Sequence, residues 1–293
     1  MPNRNFSLTA LVVLIFTALA GCRYSAQAQH APAQAYPASY KWLRGYNAKQ
    51  AIGNRIAVPQ GYERVPVTPG SFAAWLRGLP LKKGCPPVRL YDGSPKNDQT
   101  VHVAVVNMDV GRRDLQQCAD AVMRLRAEYL FSQGKAREVH FDFTNGTRAN
   151  FANWADGDRP VISGNQVRWE RKARPDASYQ NFRAYLMTVF NYAGTASLSK
   201  ELTAVRDVKQ MQIGDVFIKG GFPGHAVIVV DMAREKSTGK ALFLLAQSYM
   251  PAQEMHLLKN PLDQHLSPWY PVDFGDDLTT PEWLFKRDQL MRF

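Results

Sequence analysis

GDVFIKGGFPGHAVIVVDMAREKSTGKALFLLAQ, Gly214 to Gln247, is the stretch on which the fold turns. Two apolar runs, Ala226–Val230 and Leu242–Leu245, flank a polar link from Ala233 to Gly239 that contains Ser-Thr-Gly. Apolar runs around a turn-rich link predict antiparallel neighbours. A loop centred on Lys236 sets Asp231 against Ala241, Val229 against Phe243, Val227 against Leu245 and His225 against Gln247. Directly opposed residues share a face, so the imidazole and the amide become neighbours at one end of the sheet. A slip of one residue would separate them. Both faces of 226–230 are apolar, which predicts a central, buried strand. Pro223-Gly224 turns the chain just before it and leaves His225 at the rim.

Further strands are expected at Val216–Ile218 and Met255–Leu258, with Asp215 closing the turn before the first. Upstream, Thr68-Pro69 opens a helix within Val65–Leu79, with Phe72, Trp75 and Leu76 on one face. Val88–Tyr91 and Val101–Val106 read as a hairpin around Asp92–Gln99. Asp114 caps a helix running to about Phe131, and Gln117 stands at capping-box spacing from it. One face of that helix carries Leu115, Cys118, Ala119, Val122, Leu125 and Tyr129. The opposite face carries Gln116, Asp120 and Arg124. Val139–Phe143 alternates as a strand, 147–176 reads as loop, and Tyr179–Tyr192 is a second helix. The proline-containing tail wraps the surface and forms a short helix near 281–290. Helices followed by an antiparallel meander define an α+β domain.

The N-terminus speaks to compartment. Arg4 precedes an apolar run, Leu8–Leu19, of signal-peptide rather than membrane-span length. Leu19-Ala20-Gly21-Cys22 resembles the bacterial lipobox, which implies cleavage before Cys22 and lipidation of that cysteine. The alternatives are an ordinary signal cut near Ala26 or Ala28 and an uncleaved anchor. Arg23, where an aspartate would mark retention, resembles an outer-membrane address facing the periplasm. Residues 22–40 lack large aliphatic residues and read as a flexible tether. That divides the chain into a signal peptide over 1–21, the tether, and one domain over 41–293.

The formal charge is +11, or +10 without Arg4. Basicity alone would raise nucleic-acid binding. The export signal and the absence of any Lys/Arg run longer than two argue against it. A basic surface facing anionic envelope polymers is the reading kept. With no His/Cys/Asp set at metal spacing and no phosphate-cradling glycine loop, no cofactor is expected.

Three cysteines are present. With Cys22 assigned to lipidation, Cys85 and Cys118 remain. Cys118 lies near the start of a helix, where backbone N–H groups and the dipole favour a thiolate. His225 can act as its base and Gln247 can orient the imidazole. Cys118 is equally open to an inert core role or to a disulfide with Cys85. His225 is open to a satisfied rim position, and Gln247 to an ordinary strand end. His140 is read as a face residue, and Glu254 and His256 as weaker site candidates.

Two resemblances rest on these residues. QQCADAVMRLRAEYL (116–130), GDVFIKGGFPGHAVIVVD (214–231), LLAQSYMPAQEMHLLKNP (244–261), SPWY (267–270) and TPEW (280–283) resemble the blocks of an uncharacterised bacterial lipoprotein family, domain of unknown function 4846. That resemblance implies no activity. Gly214-Asp215 with its apolar run, followed by Gly224-His225 and another, is similar to blocks of the NlpC and CHAP families of papain-like cell-wall peptidases. It implies a papain-like antiparallel sheet packed on a helix carrying the cysteine, with Cys118, His225 and Gln247 in the family's order. The cysteine lacks the family's preceding aspartate and following Ser-Gly. The implied function is an envelope-tethered thiol hydrolase, a peptidase or amidase acting on peptidoglycan peptides. The alternative is a non-catalytic binding or scaffolding lipoprotein of the same fold.

Overall fold

The computed structural model describes residues 40–293. The signal peptide, Cys22 and residues 22–39 of the tether lie outside the described residues. Tyr40 already belongs to the folded body. It is 4% exposed, its hydroxyl donates to the Trp75 carbonyl at 2.7 Å, and its ring meets Trp42, Tyr46 and Trp75.

A nine-stranded antiparallel sheet forms the centre. In chain order its strands are β1 (Tyr62–Arg64), β2 (His102–Val105), β3 (Thr203–Ala204), β4 (Val216–Lys219) and β5 (His225–Glu235). They continue with β6 (Ala241–Gln247), β7 (His256–Leu258), β8 (Tyr270–Pro271) and β9 (Leu290–Arg292). The spatial order is β2-β7-β6-β5-β4-β9-β3, with β1 added to β5 and β8 to β6. The longer helices are α1 (Phe72–Arg77), α2 (Cys118–Ser132), α3 (Tyr179–Tyr192) and α4 (Thr195–Glu201), with shorter ones at Ile52–Arg55 and Phe151–Ala155, and α2 packs against β5. This is the mixed α+β architecture expected, with 226–230 central and buried on both faces.

The β5–β6 register differs from the expected one. The turn centres on Ser237-Thr238 rather than Lys236, with Gly239 at φ +75° and its N–H bonded to the Glu235 carbonyl. A left-handed residue there fixes a tight turn. Ala241 therefore faces Arg234, and Leu244, not Ala241, faces Asp231. A bulge follows: Leu245 faces Val229 and Ala246 faces Ile228, leaving Val230 as the extra residue. Continued one step, this places Gln247 opposite Val227 and diagonal to His225 on the same face. The expected neighbours are thus close, but not directly opposed. Without the bulge, Gln247 would face Ile228 and point to the other side of the sheet.

Several outlying elements also differ. The helix expected within Val65–Leu79 is only Phe72–Arg77, capped by Ser71. Val88–Tyr91 forms isolated bridges, Arg89 with Pro95 and Leu90 with Gln253, while β2 pairs with β7. The 147–176 segment is not loop. It holds a strand at Arg148–Asn150, a helix at Phe151–Ala155 and a hairpin of Asp158–Ser163 with Gln166–Arg171. Near the C-terminus the expected helix is replaced by a strand at Leu284–Lys286 and by β9.

The polar face of α2 is buried. Arg124 is fully enclosed and pairs with Asp109 and Glu128, while Arg183 of α3 reaches the same two carboxylates. The Tyr179 hydroxyl donates to Glu128 at 2.8 Å. A buried guanidinium persists only with such partners, and here they tie α2 to α3.

Glu201 closes α4 and accepts the Asp142 N–H at 2.7 Å. Burial pushes its carboxyl up from 4.5 to about 7. The folded state therefore holds a proton that the unfolded state releases between these values. Stability is fully present below pH 4.5 and is lost as pH rises through 7. Glu201→Gln keeps the acceptor and is expected to flatten the pH slope of urea stability between pH 4.5 and 7. An unchanged slope would assign the effect elsewhere.

Candidate functional site

Cys118 is the first residue of α2, with Gln117 as the cap. Asp114 does not cap the helix. Its Oδ1 takes the Gln117 side-chain amide at 3.0 Å and the Ala252 N–H at 2.6 Å. The Ser248 hydroxyl lies 3.1 Å from the Gln116 carbonyl and 2.8 Å from that of Gln253. These bonds stitch the entry to α2 onto the segment that follows Gln247. They fix the cysteine relative to the strand ends.

Cys118 is a free thiol, so the Cys85–Cys118 disulfide is not formed. It is 9% exposed. Burial, with the nearby Asp120 carboxylate second, pushes the thiol up to about 11. The backbone N–H groups of Ala119, Ala226 and Cys118 itself pull the other way. The helix-end effect expected from sequence is thus present, and burial outweighs it. The Ala226 amide matters for geometry too, because it brings the sulfur to the residue that follows His225.

His225 is 1% exposed and Gln247 is fully buried. The His225 Nε2 lies 2.9 Å from Gln247 Oε1. The network determines which atom donates. Gln247 Nε2 donates to Glu282 Oε2 at 2.7 Å, so the oxygen end of the amide faces His225. His225 must then carry its proton on Nε2, leaving Nδ1 with a free lone pair. The second Gln247 N–H faces His256 Nε2 at 3.3 Å. His256 Nδ1 lies 2.9 Å from the Glu254 carbonyl, which can only accept, so His256 Nε2 is itself an acceptor. All three polar positions of the amide are therefore assigned consistently.

Burial lowers His225 to about 4 and His256 to about 3, so both rings are neutral near pH 7. Around His225 stand Tyr249 (4.7 Å between centroids), Trp283 (5.2 Å) and Phe285 (5.7 Å). Lys96 pairs with Glu282 and lies 5.2 Å from the Tyr249 ring centre. Gly224 makes the approach possible. A Cβ there would fall 2.2 Å from Thr195 Oγ1 and 2.5 Å from the Gly221 carbonyl.

His225 and Gln247 are brought together, the Cys118 sulfur reaches the adjacent backbone, and His256 joins as the second support of the amide. Asp215 closes the turn before β4 as expected, its Oδ2 accepting the Gln212 N–H at 2.8 Å, and it also pairs with Arg292 of β9, while its carbonyl accepts the Val229 N–H. Glu254 reaches the site only through its carbonyl, and its side chain pairs with Lys82. His140 is exposed and remote in the topology, on the Arg148–Asn150 hairpin. Sequence reasoning passed over Lys96, Asp120, Tyr249, Glu282 and Trp283. For Glu282 the one signal was an acid inside the Thr280–Trp283 block; nothing local tied it to Gln247. Among the described residues no group of three or more His, Cys, Asp or Glu is arranged to hold a metal ion, and no helix is long and apolar enough to cross a membrane.

These features define a mixed α+β protein with a large antiparallel sheet and a buried polar cluster at one end of it. The chain belongs to the family described as domain of unknown function (4846), whose model matches residues 52–292. Comparison with curated proteins and with solved structures gives no match.

Proposed function

We propose that this protein is a papain-like thiol hydrolase, a peptidase or amidase of the bacterial cell envelope, tethered through a lipid on Cys22 and acting on peptidoglycan peptides. One observation supports it above the others: an imidazole with Nδ1 free and Nε2 held by Gln247, at the start of the strand whose next residue, Ala226, acts on the helix-borne Cys118 thiol. In this reading Cys118 Sγ attacks the carbonyl carbon. Its proton passes to His225 Nδ1 and then to the leaving amine, so the C–N bond breaks as the thioester forms. Water then releases the acid and restores the thiol. The backbone amides at the start of α2 face the developing oxyanion. Phe222, 87% exposed and three residues before His225, and Met250, 65% exposed and three after Gln247, give the site apolar lips for a chain-like substrate.

The buried thiol at about 11 beside a neutral imidazole favours a second reading. It is a binding or scaffolding lipoprotein in which the same cluster is structural. Alkylation separates the two. The chain with serine at Cys22 is treated with iodoacetamide from pH 6 to 10, and the label on Cys118 is followed by mass spectrometry. The hydrolase reading expects His225→Ala to slow labelling at pH 7 by about a hundredfold, the scale of a lost general base. Equal rates with and without His225 would leave the binding reading.

A further inference from the structure

Gln247 cannot orient His225 unless something orients Gln247. A primary amide has nearly the same shape either way round, and the reversed form would present NH2 to His225 Nε2. That would force the imidazole proton onto Nδ1 and remove the lone pair the thiol needs. Two groups oppose the reversal. His256 Nε2 accepts at 3.3 Å from a neutral ring. Glu282 accepts at 2.7 Å through a charged oxygen, the shorter and stronger of the two. Glu282 is in turn clamped by Lys96, itself 9% exposed, through its other oxygen.

We propose that Glu282, held by Lys96, is a positioning residue for this site. It sets the Gln247 amide, thereby fixes His225 as the Nε2–H tautomer, and places a negative charge where it stabilises the imidazolium formed on proton transfer. Glu282 touches neither the reacting sulfur nor His225. Its effect passes entirely through the Gln247 amide. The charge matters because burial and the Lys96 ammonium both oppose protonation of His225, and a carboxylate on the far side of the Gln247 amide acts in the opposite sense. The other groups facing Gln247 and His225 are Tyr249, Trp283, Phe285 and His256, all neutral near pH 7.

This inference rests on the hydrolase reading for its consequence, but its primary test does not. Side-chain 15N shifts of the imidazoles report the tautomer directly. The whole chain with serine at Cys22 is expected to show His225 with a protonated Nε2 and an unprotonated Nδ1. Glu282→Ala is expected to yield a mixture of tautomers. Glu282→Gln keeps an acceptor, so it should retain the tautomer while lowering the His225 titration midpoint by about one unit, tenfold in proton affinity. Lys96→Met should retain the tautomer and raise that midpoint. A His225 signal unchanged in both tautomer and midpoint across these variants would overturn the proposal, even if Glu282→Ala also lost stability. Cys118 alkylation serves as the second readout and should fall about tenfold at pH 7 in Glu282→Ala, following the fraction of correct tautomer. If wild-type alkylation ignores His225→Ala while the tautomer still follows Glu282, the hydrolase reading fails and the positioning role stands.

Discussion

Asp231→Ala should destabilise the fold by about 3–5 kcal/mol, the range for breaking a buried ion pair. The Asp231 carboxylate is wholly buried and takes Arg77 Nε at 2.6 Å and Arg64 Nε at 2.7 Å. It also accepts the Met232 N–H at 2.8 Å. Removing it leaves the Arg77 guanidinium, 4% exposed, without its counter-charge. The consequence reaches the site because Asp231 sits beside Val230, the extra residue of the β5 bulge. That bulge turns Gln247 to the face of His225. A loosened bulge lets β6 slip by one residue, and any odd slip sends Gln247 to the opposite face. Urea denaturation measures the first effect and the His225 side-chain 15N pattern the second. A loss below about 1 kcal/mol, typical of a surface pair, would show that the three charges contribute little and that the bulge is held by packing alone.

What the sequence disclosed and what it hid follow from the range of the interactions involved. The β5–β6 hairpin was legible because a polar link between apolar runs is a local signal. The shared face of His225 and Gln247 was also anticipated. It was reached through a register that the structure does not have, and the bulge at Val230 restores the phase. A bulge anchored by Arg64 and Arg77, some 150 residues away in the chain, leaves no mark in a local pattern. The helix bearing Cys118 is legible from its periodicity, but it starts three residues later than an Asp114 cap implies. Asp114 has good capping chemistry and is diverted by the Ala252 N–H. The 147–176 segment misled because its strands are short and half-exposed, so alternation is weak there. Glu282 and Lys96 were hidden for the plainest reason. Glu282 meets Gln247 and Lys96 meets Glu282 from 186 positions away, so their chemistry exists only once the sheet is closed.

Asp120→Asn is expected to wake the thiol. Asp120 is 6% exposed in the first turn of α2, two residues after Cys118. Its Oδ2 accepts the Gln117 N–H at 3.0 Å, whereas Oδ1 is buried and has no partner. Burial pushes this carboxyl well above its usual range. Once ionised, it opposes a second negative charge on the sulfur, which is the second cause of the raised Cys118 value. Two anions in one dry pocket cannot form independently, so the thiolate appears only against the Asp120 charge. Asparagine retains an oxygen for the Gln117 N–H and removes the charge. Burial of the sulfur remains, so the thiol should fall by about one unit rather than to an ordinary value. At pH 8, well below both midpoints, one unit means about tenfold more thiolate and about tenfold faster alkylation of Cys118. The rate–pH curve for iodoacetamide labelling should shift down by that unit with its plateau unchanged. The shift should persist in Asp120→Asn combined with His225→Ala, because the carboxylate acts on the sulfur and not through the imidazole. A curve that does not move would mean that Asp120 stays protonated across the range and that desolvation alone keeps the thiol silent.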